Sequence, residues 1–199
     1  CANMDEYSPS RILKGACIDQ NVQCTSLWRR WAELEEQQGN IGNYEVPYSA
    51  AWIFKEGSMR HIDDEEYIWL AWAEFVRRNK EFLNEIPLDS ILKNKCLSAI
   101  TTTVAPWMAW AVIEEAKGNV GDYSLEYSAA WLYQKGCINQ NKTRNEKYLL
   151  KWARFAQEHP MRSTDGYLVD ARYVWNYAQR QCLIFCPELW DEFFDTTQN

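Results

Sequence analysis

Three groups of side chains in this sequence have the types needed for site chemistry. Seven cysteines and two histidines could hold zinc. However, no CxxC pair occurs, and His61 and His159 stand about a hundred residues apart, whereas zinc sites draw their ligands in close sequence pairs. Cys182 and Cys186, four residues apart, offer at best part of a ligand set. Glu35-Glu36 and Glu114-Glu115 are paired acids of the kind that transfer protons. Adjacent helical residues point in different directions, however, and no Ser, His or Lys constellation accompanies either pair. The expectation is therefore no catalytic residue, no metal and no cofactor. Asn141-Lys142-Thr143 matches a glycosylation acceptor, which matters only in a secreted chain.

The balance of 28 acidic against 21 basic residues, net charge −7, weighs against nucleic acid as the main partner, because phosphate binding is driven by Lys and Arg. At 199 residues and 47% hydrophobic content the chain can bury a substantial core. No apolar run approaches the roughly 20 residues that span a bilayer, so no membrane contact is expected. The sequence starts at Cys1 without an apolar leader. That start fits a piece of a longer protein, a processed chain or a lipidated cysteine.

What must position any site is a repeated segment. "WRRWAELEEQQGNIGNYEVPYSAAW" at Trp28 returns at Trp107 as "WMAWAVIEEAKGNVGDYSLEYSAAW". Paired large residues recur at Trp28 and Trp31, Trp69 and Trp72, Trp107 and Trp110, Leu149 and Trp152, and Trp190 and Phe193, at steps of about 40 residues. Between them lies a shorter motif: "SRILKGAC" at Ser10, "AAWIFKEGS" at Ala50, "DSILKNKC" at Asp89, "AAWLYQKGC" at Ala129 and "DARYVWNYA" at Asp170. Both kinds read as helices. Trp28, Trp31, Ala32 and Glu35 fall on one helical face, with Arg29, Arg30 and Glu33 elsewhere. Gly39-Asn40 and Gly118-Asn119 sit where a left-handed C-cap is wanted. Pro87, Pro160 and Pro187 fall between helical segments. The pattern predicts an all-α fold of about ten helices in antiparallel pairs, a right-handed α-solenoid of about five helix-pair repeats in one domain spanning 1–199.

W-x-x-W-A-x-x-E, then G-N, then a segment like A-R-x-I-F-x-x-A, resembles the half-a-TPR (HAT) repeat, a relative of the tetratricopeptide repeat. The closest stretch is "SRILKGACIDQNVQCTSLWRRWAELEEQQGNIG", and the similarity runs from about Tyr7 to Phe194. The resemblance implies a solenoid that scaffolds assemblies, characteristically in RNA processing, inside the cell in cytoplasm or nucleus. It also implies a concave lining from the first helices: Arg29 and Glu33, Leu70 and Glu74, Met108 and Val112, Leu150 and Arg154. That mixed lining suits a protein partner better than a phosphate backbone. The array opens and closes on half-units, as a segment of a longer chain would.

The Trp pairs are expected in the core rather than as a base-stacking platform. Trp52 and Trp131 are expected to pack on the loops at Tyr44 and Tyr123, with presentation to a ligand as the alternative. Cys17, Cys96 and Cys137 share a register, but packed helices lie about 10 Å apart while a disulfide needs roughly 7 Å, so they read as small buried residues in a reducing compartment. "VRRNK" at Val76 and "NKTRNEK" at Asn141 supply the local positive charge through which RNA would be bound. The leading expectation is a non-enzymatic scaffold for protein partners in a larger complex, with direct single-stranded RNA binding second.

Overall fold

A computed structural model of the chain describes residues 8–20, 24–60, 66–84, 87–97, 104–139, 146–163 and 165–194. The chain divides into two compact units, 1–75 and 76–199, taken here in turn. His61, the sequon at Asn141 and most of "NKTRNEK" lie outside the described residues.

In the first unit α1 (Pro9–Lys14) runs into a π turn, Gly15–Asp19, and is followed by α2 (Thr25–Gln37), α3 (Ala50–Arg60) and most of α4 (Glu66–Arg78). Ser8 caps α1 by accepting the Arg11 amide at 3.3 Å, and Pro9 at the first position has no amide to leave unpaired. The face read from the sequence is the buried one: Trp28, Trp31, Ala32 and Glu35 are all covered, while Arg30 is exposed. α2 ends in a Schellman cap. Gly39, at φ 78°, takes the left-handed conformation, so the Asn40 amide reaches the Glu35 carbonyl at 2.9 Å and the Gly39 amide that of Glu36 at 3.0 Å.

The second unit holds a 3-10 turn (Lys80–Asn84), α5 (Pro87–Leu97), α6 (Ala105–Ala116), α7 (Ala129–Asn139) and α8 (Glu146–Glu158). After them come a minimal antiparallel hairpin of β1 (Met161–Arg162) and β2 (Leu168–Val169), then α9 (Ala171–Arg180), a 3-10 turn (Pro187–Trp190) and α10 (Asp191–Phe194). α6 repeats the α2 cap, with Gly118 at φ 80° and the Asn119 amide 2.9 Å from the Glu114 carbonyl. Asp170 caps α9 by accepting the Tyr173 amide at 2.8 Å.

The described residues are mostly helical, consistent with an all-α fold. Two details differ from the sequence reading. The hairpin is a short β element where only helix was expected. Trp190, read as the start of a first-type helix, closes a 3-10 turn instead, because Glu146 ties the segment down: its carboxylate accepts the Trp190 indole N–H at 2.8 Å and the Phe185 and Cys186 amides at 3.1 and 3.0 Å.

Close helix contact depends on glycine in both copies of the repeated segment. A Cβ on Gly57 of α3 would stand 2.9 Å from the Trp28 Cβ and 2.6 Å from the Ile68 Cδ1. One on Gly136 of α7 would stand 2.7 Å from the Trp107 Cβ and 2.8 Å from the Met108 Cε. Gly57→Ala and Gly136→Ala are each expected to lower stability by about 1–3 kcal/mol through overpacking, despite alanine's better helix propensity. Urea denaturation checks this, and an unchanged or raised midpoint would show that the helices can part without cost.

Candidate docking sites

The repeated segment folds in the same way twice, down to its strained residues. After each helix cap the chain makes an Asx turn: Asn43 Oδ1 accepts the Glu45 and Val46 amides at 2.9 and 3.1 Å, and Asp122 Oδ1 accepts those of Ser124 and Leu125 at 2.7 and 2.9 Å. Ser49 and Ser128 then cap α3 and α7, each accepting the amide three residues on at 3.3 Å. Between turn and cap, Tyr48 and Tyr127 both sit at φ 67°, a left-handed conformation that bulky side chains avoid.

A buried polar hub holds that conformation. Glu35 accepts the Trp31 indole N–H at 3.0 Å, the Asn40 amide at 2.7 Å and the Ser10 hydroxyl. Asn40 donates as well to the Tyr48 carbonyl, at 3.1 Å. In the second copy Glu114 accepts from Trp110 at 3.3 Å, Asn119 at 2.7 Å and Lys117 at 3.2 Å, and Asn119 donates to the Tyr127 carbonyl at 3.2 Å. The paired acids of the sequence thus include one carboxylate per copy that is a structural acceptor.

The two tyrosines of each loop part company. Tyr44 and Tyr123 turn inward and accept the indole N–H of Trp72 and Trp152 at 3.3 and 3.4 Å. Burial pushes the Tyr123 hydroxyl up to about 12, against the Trp152 hydrogen bond. Tyr48, 41% exposed, faces out, stacked on Trp31 at 6.2 Å and edge-on to Trp52 at 5.4 Å, with Lys14 Nζ 3.5 Å over its ring. Tyr127 likewise stacks on Trp110 at 5.6 Å and meets Trp131 edge-on at 5.4 Å, with Lys93 Nζ 4.4 Å over its ring. Exposed Val46 and Leu125 extend the two patches. Trp52 and Trp131 therefore do pack on the loops, through Tyr48 and Tyr127, and stay partly exposed. A Tyr beside a partly exposed Trp supplies two of the residue types in which interface hot spots are enriched.

The residues of the expected concave lining fare differently. Arg29 and Glu33 form an ion pair at 2.7 Å, both partly exposed, and Leu70 and Glu74 are also partly exposed. Arg154 is exposed and its Nη2 lies 2.9 Å from Glu192. Met108, Val112 and Leu150 are covered, at 0%, 6% and 8% exposure. α6 is apolar on every side, as a helix surrounded by others is, so its lining positions are also core positions. The Trp pairs are core as expected. Cys17, Cys96 and Cys137 are buried, and burial raises all three thiols, Cys17 to about 11, which keeps them protonated and unreactive. Cys182 and Cys186 lie exposed beyond the end of α9, not on one helical face.

Sequence reasoning missed Tyr48, Tyr127, Lys14, Lys93 and the asparagine clamps. The available signal was the duplication, since I-L-K and Y-S-A-A-W keep the same separation in both copies.

The two turns differ in charge, which makes one the control for the other. Hydrogen bonds from the Ser124 side chain and the Ser124 and Leu125 amides hold the Asp122 carboxyl below its usual range. A depressed carboxylate contributes stability that is present above its unfolded value and lost as pH falls through the folded one. Acidification should therefore loosen the 122–125 turn before the 43–46 turn, where neutral Asn43 does not titrate. Amide chemical shifts of Ser124 and Leu125 against Glu45 and Val46 check this, and Asp122→Asn should abolish the difference.

In comparisons with known proteins, no family model matches this chain, and neither a curated protein nor a solved structure does.

Proposed function

We propose that this chain is a non-enzymatic helical scaffold that docks protein partners through the two loop sites, each taking an apolar or aromatic side chain flanked by an acidic one. The observation that carries this reading is the duplicated tyrosine, exposed at Tyr48 and partly exposed at Tyr127, held at φ 67° in both copies between two tryptophans and under a lysine. A left-handed tyrosine costs on the order of 1–3 kcal/mol and persists only where its surroundings over-determine it. Pointing an aromatic ring outward at that cost, twice, is economical for a binding surface and wasteful for a core. The lysine ammonium lies over the ring face, at 3.5 Å in the first copy and 4.4 Å in the second, where a carboxylate on the partner could pair with it at the ring's edge. The resemblance to half-a-TPR repeats supports a larger, RNA-processing assembly within the cell as the setting. Among the described residues no helix is long and apolar enough to cross a membrane.

RNA is the second reading, because an exposed Tyr and Trp with a nearby lysine also form a platform for unpaired bases. Net charge −7 weighs against it. Exposed Arg77 and Arg78 remain as its local cationic element. A pull-down from native extract, with and without nuclease, separates the two readings when the bait is compared with a Tyr48→Asn, Tyr127→Asn double variant. Nuclease-resistant partners lost with the variant are the expected result. Partners that vanish with nuclease would make this an RNA binder.

A further inference from the structure

Away from the loop sites, the second unit brings Glu115 of one helix end to the adjacent Glu158 and His159 of another, more than forty residues later in the chain. A carboxylate oxygen of Glu115, one of Glu158 and a ring nitrogen of His159 all lie within 4.8 Å of one another. We propose that these three residues bind one divalent transition-metal ion, of which zinc is the representative, leaving a further coordination position open to solvent.

The donor chemistry selects the ion. An imidazole nitrogen with two carboxylates suits zinc and its first-row neighbours, whereas calcium and magnesium take oxygen ligands alone. Tetrahedral zinc with bonds of about 2.0–2.1 Å sets its ligand atoms about 3.3–3.4 Å apart, so closure from separations within 4.8 Å requires a movement of up to about 1.5 Å. Glu158, exposed at the end of α8, can supply that by changing rotamer.

The surroundings favour a cation independently of the ligands. Glu115 and Glu158 lie in the last turns of α6 and α8, at the negative poles of both helices, where cations are stabilising and carboxylates are not. Neither last turn carries a basic residue.

Tyr133 supplies the supporting shell that metal sites use to orient their ligands. Its hydroxyl donates to Glu115 Oε2 at 2.9 Å, leaving the other oxygen for the metal. Its ring packs 4.7 Å from Phe155, which in turn packs 5.0 Å from the His159 ring. The His159 amide bonds to the Phe155 carbonyl at 2.8 Å, which keeps the imidazole on the last turn of α8. The proposal departs from the expectation of no metal, which rested on sequence spacing.

Titration calorimetry of the untagged full chain with zinc chloride tests it, with calcium and magnesium as parallel arms. Cobalt spectra are recorded alongside, because the cysteines are competing ligands. The expected result is one zinc per chain, no comparable uptake of calcium or magnesium, and a cobalt spectrum without a thiolate charge-transfer band. His159→Ala and Glu158→Gln, both at accessible positions, should each weaken binding at least about 100-fold, and Tyr133→Phe about 10-fold. Circular dichroism confirms that the variants are folded. Absence of saturable zinc uptake, a thiolate band, or uptake unchanged in both ligand variants would overturn the proposal.

Discussion

Replacing Glu35 by alanine is expected to remove about 3 kcal/mol of stability, a large part of the roughly 5–15 kcal/mol available to a domain. The carboxylate is 6% exposed and is the shared acceptor for the Trp31 indole, the Asn40 amide and the Ser10 hydroxyl. Deleting it leaves the buried indole N–H with no acceptor and opens a cavity beside it, and each effect is unfavourable alone. Glu35→Gln keeps the shape but turns an amide N–H toward other donors, so it should recover only part of the loss. Glu114→Ala should cost about as much. The extra ion pair with Lys117 there, at 3.2 Å, is largely covered, so its loss adds to the cost. Urea unfolding gives the totals, and amide exchange in α3 against α7 shows which copy has loosened. A loss below about 1 kcal/mol in both variants would mean that the hub is not what holds the loops.

The second large effect concerns binding rather than stability. Tyr48→Asn with Tyr127→Asn is expected to leave the unfolding midpoint within about 1 kcal/mol of the original while weakening partner binding at least about 100-fold. Two opposing terms make the stability change small. Asparagine tolerates the left-handed conformation and relieves strain on the order of 1–3 kcal/mol. Against that, each substitution loses an aromatic stack of about 0.5–1.5 kcal/mol and some half-buried area. Binding has no such compensation, since a central aromatic anchor commonly contributes 2 kcal/mol or more. A structural role alone gives the opposite pattern, with lost stability and intact binding. Measuring both quantities on the same variant therefore separates a hot spot from a packing residue.

The helices and their buried faces were legible in the residues. Trp28, Trp31, Ala32 and Glu35 recur at helical spacing, and the Gly39-Asn40 and Gly118-Asn119 caps lie where the periodic residues stop. Such features are local, because a 3.6-residue period and a left-handed cap are properties of consecutive residues. The departures occur where the outcome depended on distant contacts. Trp190 was drawn into a 3-10 turn by Glu146, 44 residues earlier in the chain. Met108 and Val112 were covered because α6 lies among other helices, which no period within α6 reveals.

The candidate sites divide along the same line. The amino-acid order alone established that one segment is written twice and so must build something twice. It could not say that Tyr44 would turn inward to Trp72 while Tyr48, four residues on, would face solvent at φ 67°. In an irregular loop no periodicity assigns side chains to a face, and their direction is set by the partners that the fold supplies: Asn40 for the Tyr48 carbonyl, the Trp72 indole for the Tyr44 hydroxyl. The cluster of Glu115, Glu158 and His159 is the extreme case. Its members come from the ends of two helices, Glu115 from α6 and the adjacent Glu158 and His159 from α8, and the packing of the helices brings them within reach of one ion because apolar burial, not the chemistry of those three residues, positions the helices.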